Sequence, residues 1–191
     1  MKPPSSRLSV LLLVSLAAVM IATRFHHFGT ALNLPDASMA VFFLGGLSLR
    51  EHLYFGMFMV LAVVLDWISV SYAGVSDFCV TPAYSFLLLA YAVLWYGGRW
   101  YAGRLQASVG SLAGALAVAL LAAACSFAIS NGAFYWLGGR YAQPHMSEYL
   151  VRLWQWGPLF VRTTMTYVAI ALAGFAVYQR VVVARSTAVE R

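Results

Sequence analysis

The sequence predicts an all-α integral membrane protein that crosses the bilayer about six times. Three observations predict it. Hydrophobic residues make up 62% of the 191 and charged residues only 9%, against about a quarter charged in a soluble domain. That apolar content exceeds what one soluble core could hide, so much of it faces lipid. Finally, the basic residues gather in loops that fall on one side of the predicted spans, the bias that orients membrane proteins.

Helix one is predicted over about 8–28. Its apolar run, Leu8 to Ala22, follows Lys2 and Arg7 in the layout of a signal peptide; it is read here as the first span. Asn33-Leu-Pro-Asp36 is a turn, with Pro35 favouring a helix start. Helix two, about 37–49, is short for a span and stops at Arg50-Glu51-His52. Helix three, about 53–72, contains Asp66. Helix four, about 83–96, ends at Gly97-Gly98-Arg99. Helix five, about 109–129, is rich in small residues that permit close helix contact. The connection 130–156 carries a segment, Ser147 to Trp154, suited to a short surface helix. Helix six covers about 158–178, and the tail is basic. All of this forms a single transmembrane domain over 1–191, with no internal repeat.

One side holds Lys2, Arg7, Arg50, Arg99, Arg104, Arg180 and Arg185; the other holds fewer basic residues and also Asp36, Asp77 and Glu148. The first side is expected to be cytoplasmic, with both termini inside. The net charge of +6 is then an orientation signal. No basic patch interleaved with aromatics exists to bind nucleic acid. Neither Cys79 nor Cys125 belongs to a CxxC or Cys/His cluster, which disfavours zinc and iron–sulfur sites.

Several polar groups on the outer side call for an explanation. Asp66 lies within a span, where a carboxylate is costly and usually faces the protein interior. It reads either as the polar wall of a cavity or as a structural ion pair, with Arg152 a candidate partner. Arg152 reads equally as an interfacial anchor beside Trp154 and Trp156. His26 and His27 are adjacent, so at most one faces the bundle. Cys79, in Asp77-Phe-Cys-Val-Thr-Pro82, has three readings: an inert apolar residue, a disulfide partner of Cys125, or a free thiol aimed into a cavity. Cys125 is expected to be packed inside helix five. Outer-side aromatics, among them Tyr72, Tyr135, Trp136, Tyr141 and Trp154, suit an interfacial belt. Tyr84 is the best pocket candidate, offering both ring and hydroxyl.

Across nearly its whole length the chain resembles the BtuM family of bacterial cobalamin transporters, related to the substrate-binding (S) components of energy-coupling factor transporters. The resemblance rests on Arg24-Phe-His-His-Phe28, Asn33-Leu-Pro-Asp-Ala-Ser38, Asp66-Trp67, Asp77-Phe-Cys-Val-Thr-Pro82 and the Arg152 region. It implies a bacterial cytoplasmic (inner) membrane location and an outward-facing cobalamin site. It further implies that Cys79 is an axial cobalt ligand, with His27, Asp66, Tyr84 and Arg152 near the bound corrin. A thiolate is a soft donor suited to cobalt, and it could assist removal of an upper cyano ligand when a reductant is present. An energy-coupling module is a candidate partner. Ala18-Val-Met-Ile-Ala22 has the small-residue spacing of such docking helices, and no Walker A pattern occurs in the chain. Two other expectations stand beside this one: an S component for a different vitamin, and a membrane-embedded thiol redox enzyme using Cys79.

Overall fold

The computed structural model describes residues 6–24, 34–72 and 81–189, the side chains of 182–189 excepted. Helices dominate, and no strand occurs among the described residues. In chain order they are α1 (Ser6–Thr23), α2 (Ser38–Ser48), α3 (His52–Tyr72), α4 (Leu87–Tyr101), α5 (Val109–Leu137) and α6 (Met146–Val189), with a 3-10 turn at Pro82–Phe86 ahead of α4. Four helices, α1, α3, α5 and α6, are long and apolar enough to cross a membrane. Only a small part of each is buried within the protein, which leaves apolar side chains such as Leu11, Val60, Leu121 and Ile170 on the outer surface. These are the features of a multi-pass membrane protein, whose solvent is lipid.

The core centres on α2, the shortest helix and the most buried. Its Phe42 and Phe43 are fully enclosed, along with Trp95 and Leu94 of α4 and Ala115, Ala119 and Ala123 of α5. Phe42 stacks on Tyr91 with ring centroids 4.1 Å apart. The α2–α4 approach is backbone on backbone. A Cβ on Gly46 would collide with the Trp95 carbonyl, and one on Gly98 with the Phe43 carbonyl. This explains why α4 runs past the predicted stop at Gly97-Gly98 to Tyr101: the glycine there admits α2 and does not end the helix.

Further boundaries differ from the prediction, and helix six also runs on past 178 to Val189. Helix five continues to Leu137, and helix six begins at Met146 and passes through Pro158. The supposed connection 130–156 is therefore mostly a helical hairpin whose non-helical part is 138–145. Side-chain pairing across the hairpin supports both extensions. Tyr135 stacks on Tyr149 (5.6 Å), donates its hydroxyl to Glu148 (2.9 Å) and accepts from the His145 backbone N–H (2.9 Å). Tyr149 donates to the Ala128 carbonyl (3.1 Å). Helix one is described as helix to Thr23; the rest of its predicted range, 25–28, lies outside the described residues.

At the opposite end of the bundle, α2 turns into α3 through Arg50, whose φ of 65° is left-handed, a conformation uncommon outside glycine. Hydrogen bonds hold the corner. Arg99 donates to the Arg50 carbonyl (2.7 Å) and to a ring nitrogen of His52 (2.8 Å), and Arg50 donates to the Ala102 carbonyl (2.8 Å).

Candidate functional site

The residue that organises the other end of the bundle is Arg24, one position beyond α1. Its side chain is only 4% exposed. Nε and one terminal nitrogen clamp both oxygens of Asp66 on α3, each at 2.7 Å. The other terminal nitrogen donates to Ser38 Oγ at the start of α2 (2.7 Å) and to the Tyr91 hydroxyl of α4 (2.8 Å). Asp36 stands 3.8 Å away. The planar guanidinium alone has donors spread widely enough to serve three partners in one plane. The paired, bidentate geometry also makes a buried charge tolerable at this depth.

The carboxylates have their own supports. Tyr84 donates its hydroxyl to Asp66 Oδ2 (2.5 Å); a phenol is neutral near pH 7 and available as a donor. Asp36 accepts from the Ser38 backbone N–H (2.8 Å) and hydroxyl (2.5 Å). It thus caps the first turn of α2, where a helix end leaves N–H groups unpaired. Thr23 completes the junction, accepting from the Ala37 N–H at 3.1 Å. Tyr167 of α6 reaches the same end, donating to the Pro35 carbonyl (2.9 Å).

Of the residues singled out from the sequence, Asp66 and Tyr84 are brought together, and Asp66 faces the protein at 21% exposure. Its ion-pair partner is Arg24, where Arg152 was the expected candidate. Arg152 instead sits over the rings of Tyr141 (4.7 Å) and Tyr135 (5.9 Å) in the α5–α6 hairpin, its Nε buried without a hydrogen-bond partner. Cys125 is free and exposed on the outer surface of α5, so the expected packing of its side chain is corrected. Small alanines take the core-facing positions beside it, Ala122 and Ala123. Cys79 and His27 lie outside the described residues, as does Asp77. Among the described residues no group of three or more His, Cys, Asp and Glu could hold a metal ion.

In the sequence Arg24 is marked only by its place in Arg24-Phe-His-His-Phe28. A usable signal was present: it is a cation placed directly after an apolar span, with a lone carboxylate at comparable depth in another span. No protein-family model and no curated protein matches the chain.

Proposed function

We propose that this protein is a cobalamin transporter of the S-component type, resembling the BtuM family, with six spans and both termini in the cytoplasm of a bacterial cell. It takes cobalamin from the outer side through a cavity bounded by His27, Asp66, Tyr84 and Arg152. Cys79 supplies one axial ligand to cobalt, the corrin itself providing the equatorial donors. One observation carries this reading: Arg24, Asp66 and Tyr84 lie far apart in sequence within or beside the family-like motifs, yet converge on one hydrogen-bonded cluster. That cluster adjoins the chain on either side of the segments bearing His27 and Cys79.

Coordination by thiolate weakens the bond opposite it. For cyanocobalamin, one-electron reduction of cobalt by an external reductant lets cyanide leave with the electron pair of the cobalt–carbon bond. With no P-loop in the chain, any ATP-driven step belongs to a partner, for which an energy-coupling module is the candidate. A thiol oxidoreductase is the weaker reading, because it wants a resolving cysteine in reach and Cys125 points away from the bundle.

The test is the visible absorption spectrum of the purified protein with added cobalamin. The expected result is a bound, coloured species whose spectrum differs from free cobalamin, with the difference lost in Cys79→Ser and kept in Cys125→Ser. Absence of bound corrinoid in the wild type would refute the proposal.

A further inference from the structure

The outward face of α4 has no part in the function proposed above. Ala90, Tyr91, Leu94, Trp95 and Gly98 are buried in the bundle. Leu89, Ala92, Tyr96 and Trp100, spaced by three and four, form the opposite face. Leu89, Tyr96 and Trp100 are 53%, 44% and 60% exposed. Towards the start of the helix this face opens into a groove of about 310 Å³, lined by Ser85, Phe86, Leu88, Leu89 and Ala92. Only Ser85 among these is polar. At its other end the same face runs into positive charge. Arg104 is exposed and lies over the Trp100 ring at 4.4 Å. Arg99 makes both its bonds, to the Arg50 carbonyl and to His52 Nε2, from one terminal nitrogen. A guanidinium only donates, so His52 Nε2 accepts and Nδ1–H donates to the Tyr96 hydroxyl (2.8 Å). That chain of bonds pins the foot of the face to α3. Neither Arg99 nor Arg104 has a carboxylate partner among the described residues. Glu51 is the one acid in this corner of the sequence, against Arg50, Arg99 and Arg104.

We propose that this face of α4 binds one anionic phospholipid, with an acyl chain in the groove and along the helix and the phosphate on Arg99 and Arg104. The dimensions agree. From Leu88 to Trp100 the face runs about 18 Å at 1.5 Å per residue, close to half of a hydrocarbon layer about 30 Å thick, the depth of one leaflet. Tyr96 and Trp100 stand where the chain gives way to the headgroup, the level such amphipathic rings favour. Planar guanidinium donors match phosphate oxygens, and the excess of cations over the single acid favours a lipid of net negative charge. Scattered interfacial arginines would draw such lipids without holding any one of them. Here groove, rings and cations lie in sequence on one helix face, so they take the chain and the headgroup of the same molecule.

The experiment uses the full chain, purified in detergent and stripped of lipid, then titrated with dioleoylphosphatidylglycerol or dioleoylphosphatidylcholine. Native mass spectrometry of the folded protein gives the affinity for the first bound lipid. No cobalamin is present, so the result is independent of the transport reading. The wild type is expected to bind the phosphatidylglycerol at least about fivefold more tightly, the effect of one basic side chain near a headgroup. Arg104→Gln is expected to lose about that factor for phosphatidylglycerol and to leave phosphatidylcholine unchanged. Ala92→Trp fills the groove and is expected to weaken both lipids alike. Leu121→Trp, on the exposed face of α5, is the control and is expected to change neither. The two site variants test the headgroup and the chain separately, so either one that folds carries the test. Equal wild-type affinity for the two lipids, an unchanged preference in Arg104→Gln, or wild-type binding of both lipids by Ala92→Trp would overturn the site. Glycerophosphoglycerol, the same headgroup without chains, is expected not to compete at the lipid's concentration. Displacement by it would overturn the lipid as ligand, in favour of a phosphate ester alone.

Discussion

At the scale of single residues, the Arg24–Asp66 pair decides more than any other contact. Each member is expensive to leave alone: removing one partner of a buried pair costs about 3–5 kcal/mol, because the other charge stays buried and unpaired. Arg24→Leu and Asp66→Leu are each expected to lower stability by about that much. The double variant is expected to lose less than the sum, since neither charge remains. Asp36, 3.8 Å from the guanidinium, softens the loss in Asp66→Leu, so that single variant is expected to be the milder of the two. Thermal unfolding in detergent reads all three, and strict additivity would contradict the coupling. Sequence reasoning found Asp66 because an acid within an apolar run stands out. It passed over Arg24 because an arginine just past a span looks like an interfacial anchor. Only the folded arrangement, with α2 and α4 closing over it, makes Arg24 a buried hub. Asp66 pairs with Arg24 and not with the candidate Arg152, which packs over Tyr135 and Tyr141 in the α5–α6 hairpin, an element whose helical length composition alone does not fix.

At the scale of elements, the α2–α4 crossing sets how closely the bundle packs. Gly46→Ala is expected to push the two helices apart, because the new methyl meets the Trp95 backbone, which cannot swing aside as a side-chain tip can. Overpacking of this kind costs about 1–3 kcal/mol. Gly56→Ala in α3 is the matched control. Nothing lies within 4 Å of its Cβ position, and alanine favours a helix over glycine by up to about 1 kcal/mol. Thermal unfolding is expected to rank Gly56→Ala at or above the wild type and Gly46→Ala below it; the reverse order would contradict the packing. The cores of all six helices were legible from apolar runs, and α2 and α3 matched their predicted bounds closely. Helix ends were less legible wherever a glycine, a proline or a few polar residues interrupted the run. At Gly97-Gly98, Asn131-Gly132 and Pro158 the helix continues, because a neighbour's packing or hydrogen bonding outweighs the local preference for a break.

At the scale of the whole molecule, α6 exceeds what a bilayer requires. Its 44 residues extend about 66 Å at 1.5 Å per residue, roughly twice the hydrocarbon thickness. Arg162 and Arg180 are both exposed, with no charged residue between them, and they stand about 27 Å apart along the axis. That interval would match the hydrocarbon layer, and Met146 to Val161 would then project beyond it. Single cysteines at Met146, Leu150 and Ile170, in a background lacking Cys79 and Cys125, test this. A water-soluble maleimide is expected to label the first two and spare Ile170→Cys; equal labelling of all three would contradict the placement. The face of α6 bearing Gly157, Thr164, Val168 and Leu172 is buried in the bundle, and the same register continues outward through Trp154, Leu150 and Met146, all exposed. Tyr149 and Arg152 pack on Tyr135 of α5 and fix this outer part to the bundle, so the two move together. A bundle tilt of about 10° would carry the Met146 tip sideways by about 4 Å over its projecting length, so a small rocking of the membrane-embedded part becomes a displacement large enough to be read outside the bilayer.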